Sequence, residues 1–138
     1  MKKLLLVTTG LSLFVASVFA QAANISTTAA SSFNILNLTT SMTTAISNTY
    51  FTNDGDTMLV VKTGATGISA TAKTQAQTMS QAGYGSVPLT DLTVAVPANT
   101  YALIGPFPQG RWNTPQGTVQ VQLTSTTAVS VSAISQSQ

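Results

Sequence analysis

Three short runs in this chain place apolar residues at every second position: Leu92, Val94 and Val96; Val119, Val121 and Leu123; Val129, Val131 and Ala133. Successive side chains of a strand point to opposite faces, so each run puts one face in a core and the other in water, a pattern a helix does not satisfy. Residues 57–63 ("TMLVVKT") and 67–72 ("GISATA") also read as strands, with 91–96, 117–123 and 128–134 around the alternating runs. Turn chemistry separates them: "NDGD" at 53–56, "GATG" at 64–67, "AGYGS" at 82–86, "VPAN" at 96–99 and "NTPQG" at 113–117. Short strands at this spacing, with no sustained helical period between them, imply an all-β fold. The expectation is a single antiparallel β-sandwich of about seven or eight strands, jelly-roll or immunoglobulin-like.

Upstream of the sandwich the sequence changes character twice. Residues 1–22 carry Lys2 and Lys3, then an apolar run from Leu4 to about Ala16, then small residues at Val18, Ala20 and Ala22. That is the layout of a secretory signal peptide, a helix-forming segment cleaved after Ala20 or Ala22. A membrane-spanning helix wants about 20 apolar residues, and this run is shorter and interrupted by Thr8, Thr9, Gly10 and Ser12. Contact with a membrane is therefore expected only through this segment, and only if it stays uncleaved. Residues 23–48 are rich in Thr and Ser and nearly free of charge, which reads as an arm with one strand at 33–38. The arm's apolar side chains, Phe33, Ile35, Leu36 and Leu38, are too few to order it alone. They are the candidate contacts to a partner, and the sandwich domain is expected to span 49–138.

Charge narrows the partners. Only 6% of residues are charged, against about 25% in ordinary soluble proteins. The net charge of +2 disappears once Lys2 and Lys3 are set aside, leaving Lys62, Lys73 and Arg111 against Asp54, Asp56 and Asp91. A near-neutral body does not make the phosphate contacts that drive nucleic-acid binding. Low net charge does favour association with other protein surfaces, since little self-repulsion opposes it.

The chain has no His, no Cys and no Glu. Serine and cysteine triads, His or Cys metal sites and paired-glutamate chemistry are all removed by that. Ser69 and Lys73 lack the S-x-x-K spacing and on one strand would stand about 13 Å apart. Asp54 and Asp56 in "NDGD" invite a Ca²⁺ reading, but an Asp-Gly turn explains them and the other ligands of a calcium loop are missing. No enzyme, cofactor, metal or small-molecule substrate is expected. The tripeptides "NIS" and "NLT" match a glycosylation acceptor, a pattern frequent by chance.

One stretch stands out, "TYALIGPFPQGRWN" at 100–113, which holds the only Trp and the only Arg. Tyr101, Leu103 and Phe107 continue an alternating strand until Gly105-Pro106 and Pro108 deny the ladder its N–H donors. Tyr101, Phe107, Arg111 and Trp112 then read as a structural corner: the aromatics plug one end of the sandwich while Arg111 lies over a ring or pairs with an Asp. A ligand platform is the alternative, but the stretch lacks convergent polar groups.

The segments "TYFTNDGDTMLVVKTGATGISATA" and "DLTVAVPANTYALIGPFPQGRWNTPQGTVQVQLTSTTAVSVSAI" occur in an order that resembles a family of small tailed-phage virion proteins, over about residues 45–134. The resemblance implies a β-sandwich that decorates or cements a phage head, or forms part of a head fibre, without enzymatic activity. Its partners would be capsid subunits or further copies of itself in a homo-oligomer, and its location the virion. Two features depart from that family: the leader, and the loop at 75–86. The leader supports a rival expectation, an exported bacterial surface or extracellular sandwich that self-assembles or adheres.

Overall fold

The computed structural model describes residues 23–30, 41–83 and 85–136. The leader and the strand expected at 33–38, with Phe33, Ile35, Leu36 and Leu38, lie outside the described residues. The rest forms two five-stranded sheets packed face to face. In chain order the strands are β1 (Ala23–Ile25), β2 (Thr27–Ala30), β3 (Thr43–Thr44), β4 (Asn48–Thr52), β5 (Met58–Lys62), β6 (Ile68–Ala72), β7 (Thr78–Gln81), β8 (Gly85–Pro88), β9 (Leu92–Val96), β10 (Tyr101–Ile104), β11 (Thr118–Leu123) and β12 (Ser130–Gln136). A single helical turn, α1 (Gln109–Trp112), precedes β11.

The first sheet runs β1-β4-β11-β6-β9, and the second runs β10-β5-β12-β2 with β3 also on β12. After β4, every connection within the sandwich except that from β6 to β9 crosses from one sheet to the other. The two sheets are thereby stitched together five times. The alternating runs do what the period demands: Val119, Val121 and Leu123 of β11 face Val129, Val131 and Ala133 across a dry interior that also takes Phe51, Leu59, Val61, Ile68, Ala70 and Val96.

The sheets are mixed, not antiparallel throughout. β1 runs parallel to β4, with Asn24 opposite Tyr50, and β2 runs parallel to β12, with Thr27 opposite Ala133. A hairpin can join only antiparallel neighbours, and neither of these pairs is hairpin-linked; each is closed by a long intervening stretch of chain. β1 and β2 are separated by Ser26 alone, so one short segment leaves the edge of one sheet and joins the edge of the other. The expected free arm at 23–48 is thus partly built into the sandwich. Ile25 and Ala45 are core residues, and β3 lies on β12. Few apolar residues suffice because backbone pairing with strands already in place supplies the remaining contacts.

Candidate contact surface

The corner is assembled around Phe107. β10 ends at Ile104, where the cis Gly105-Pro106 bond and Pro108 follow. Gly105 has φ of +127°, and a Cβ there would stand 3.1 Å from the Phe107 ring and from the Thr57 carbonyl, so only glycine fits. Phe107 enters the core fully buried and meets Phe51 at 5.5 Å between ring centres. Trp112, 5% exposed, sets its edge against Phe107 at 5.8 Å and 85°, the T-shaped geometry that aromatic quadrupoles favour. The Arg111 guanidinium carbon lies 4.4 Å from the centre of the Trp112 ring. Of the two partners considered for Arg111, it takes the ring; Asp91 is held by Lys73 at 2.7 Å.

Tyr101 does not belong to this corner. It is 53% exposed on the outer face of the second sheet, beside Leu103 at 60%, with the Lys62 ammonium 5.4 Å from its ring. The alternation breaks at Gly105-Pro106: Tyr101 and Leu103 point out, whereas Phe107, of the same parity, is turned inward beyond the bend.

Asn53 and Asn113 complete the corner, and the sequence pattern marked them only as turn residues. Buried Asn53 donates from Nδ2 to the Phe107 carbonyl at 2.7 Å and to Asn113 Oδ1 at 2.6 Å; Asn113 Nδ2 donates back to the Asn53 carbonyl at 3.1 Å. The "NDGD" and "NTPQG" turns are locked together by these bonds. The Asp54 carboxylate accepts from the Thr57 hydroxyl at 2.8 Å and the Asp56 N–H at 3.0 Å within its own turn, and from the Ser135 side chain of β12. The Thr57 hydroxyl is the main reason its carboxyl pKa is lowered from the usual 3.8, against a smaller opposing effect of burial. Among the described residues no three metal-ligating side chains come together.

The corner also grips a projection. β7 and β8 pair only with each other, forming a two-stranded ribbon inserted between β6 and β9. Its stems are tied to α1: Gln75 and Ala76 donate their N–H groups to the Arg111 carbonyl at 2.8 and 3.2 Å, and Arg111 Nη2 donates to the Thr90 carbonyl at 2.9 Å. Asp91 bridges the same stems, accepting from Lys73 Nζ and from the Thr74 N–H at 2.9 Å. The Lys73 ammonium, then the Thr74 N–H, hold the Asp91 carboxyl below its usual range. Beyond this base the ribbon is wet on both faces, and Met79, opposite Val87, is half exposed. A two-stranded ribbon with no core of its own is marginal in water.

Next to the ribbon the sandwich is open. β9 ends one sheet and β10 ends the other, and a short loop joins them, so two strand edges lie side by side with no partner among the described residues. Neither strand carries a charge. Natural edges are ordinarily blunted by Lys, bulges or proline within the strand; here Pro97 stands just past β9 and the strands themselves are bare. Leu92 and Leu103 are exposed along this side.

Comparison with family models, with curated proteins and with solved structures gave no match to the chain.

Proposed function

We propose that this chain is a non-enzymatic structural protein of a phage virion, decorating or cementing the head through contacts with capsid subunits or with copies of itself. The open side of the sandwich carries this reading: two adjacent, uncharged, unpaired strand edges beside a rooted ribbon suit the addition of strands from a neighbour. Edge pairing of this kind supplies backbone hydrogen bonds without any charge, which fits a near-neutral body. The pairings of β5 with β10 and of β6 with β11 match strands B with E and C with F of the immunoglobulin-like form, whereas β12 lies beside β5 instead of β11 and β4 lies beside β11 instead of β5. Enzymatic and nucleic-acid roles have nothing to draw on in the chemistry above.

A second reading is favoured by one specific feature, the leader at 1–22: an exported surface or extracellular protein that self-assembles through the same open side. Incorporation separates the two. In the first reading the chain co-purifies with phage heads at fixed stoichiometry, and Ala95→Lys on β9 abolishes its incorporation while leaving it folded. Recovery only from medium or cell surface, starting at Gln21 or Ala23 by intact mass, supports the second. Unimpaired assembly of Ala95→Lys in either setting contradicts the open side as the contact.

A further inference from the structure

The outer face of the first sheet differs from every other surface of the molecule. Each outward position on its five strands is neutral, and most are Asn, Gln, Thr or Ser. Toward its β1 edge stands one aromatic ring, Tyr50, in register with Asn24 on β1 and Gln120 on β11. Together with Gln116 and Thr118, Asn24 and Tyr50 line a shallow depression of about 330 Å³ that is open to solvent. The side chains of Asn24 and Gln116 and the Tyr50 hydroxyl have no hydrogen-bond partner among the described residues, whereas Thr118 is engaged by Thr114 at 2.7 Å.

We propose that this face binds a neutral saccharide, with one pyranose ring laid against Tyr50 and its hydroxyls bonded to Asn24, Gln116 and Gln120. The chemistry selects this ligand class. Amides offer a donor and an acceptor side by side, matching the paired hydroxyls of a sugar. An aromatic face accepts the C–H groups of a pyranose, which combine apolar contact with the ring's negative quadrupole. The lack of any charge on the face disfavours phosphates, uronates and acidic peptides, which need cationic partners to offset their desolvation. The inference is independent of whether the sandwich serves a virion or a cell surface, since either would bring such a face up to a polysaccharide coat.

The test is an NMR titration of the purified, isotope-labelled full chain with maltose, lactose and di-N-acetylchitobiose, with digalacturonate as the charged comparison. At least one neutral disaccharide, at about 10 mM, is expected to produce saturable shifts at Asn24, Tyr50, Gln116 and Gln120. Tyr50→Ala and Gln116→Ala each weaken binding by about tenfold or more, while Tyr101→Ala, the other sheet's exposed tyrosine, binds as the parent does. Gln116 lies in an exposed turn, so its variant carries the test even if Tyr50→Ala fails to fold. No saturable shift with any of the three neutral sugars overturns the proposal. So does undiminished binding by Gln116→Ala, or digalacturonate binding as tightly as the neutral probes.

Discussion

The sandwich has two lateral sides, and they meet the same difficulty in opposite ways. Every open sheet has edges whose N–H and C=O groups lack partners. On one side a single segment, β1 with β2, turns at Ser26 and covers the edges of β4 and β12 in succession, with Ile25 anchored in the core. On the other side β9 and β10 stand uncovered, flanked by a ribbon whose strands pair only with each other. The first side uses strand addition within the chain to finish the fold. The second side has no such added segment among the described residues, and in the function proposed above it is a neighbour's strand that takes this place; β1 and β2 are themselves the outermost strands of the first side.

The comparison can be broken most severely at the support both sides share. Trp112→Ala removes a buried ring packed on Phe107 and should lower unfolding free energy by about 3 to 5 kcal/mol, measured by urea denaturation; a loss below about 1 kcal/mol would show that the corner does not hold the two sheets. Ile25→Ala tests the closed side alone and should cost about 2 to 3 kcal/mol, with faster hydrogen exchange in β1 and β2. On the open side Leu103→Ser should stay within about 0.5 kcal/mol of the parent yet reduce association in sedimentation experiments. Equal destabilisation by the last two variants would erase the distinction between the sides.

Arg111→Ala should cost about 1 kcal/mol globally, from the lost ring contact and the hydrogen bond to Thr90. Its clearer effect should be local, a loss of amide protection confined to residues 75–90. The smallest effect is that of acid. Asp54 and Asp91 both have lowered carboxyl pKa values in the folded chain, so their contribution is present above the ordinary 3.8 and disappears as pH falls through the lower folded values. Melting temperature should hold from neutral pH to about 5 and fall below about 4, and Asp91→Asn should reduce that fall without abolishing it.

How much of this was legible in the sequence depended on whether burial left a pattern. β5, β6, β9, β11 and β12 have a core face, and their apolar residues marked them to within two residues. β4 went unmarked because a single large residue, Phe51, anchors it among polar neighbours. The β7–β8 ribbon buries little, so selection for packing never wrote an alternation into it. The parallel pairing of β1 and β2 is set by backbone bonds to distant strands, which local composition does not record. At the corner the residue types were telling for Phe107, Arg111 and Trp112 but not for Tyr101, because one bend at Gly105-Pro106 reverses which parity faces the core.

The turn at Ser26 also sets an order of events. β1 and β2 leave the ribosome before any other described strand, yet the place of β2 is beside β12, which is made after all of them. The sandwich therefore stays unclosed on that side throughout synthesis, with β12 the last piece required. Contacts this far apart in sequence slow folding, since the chain must close its largest loop before they reward it. Until β12 is made, β5 lacks its neighbour on one side and β2 and β3 have none in their sheet; the final strand supplies all three pairings.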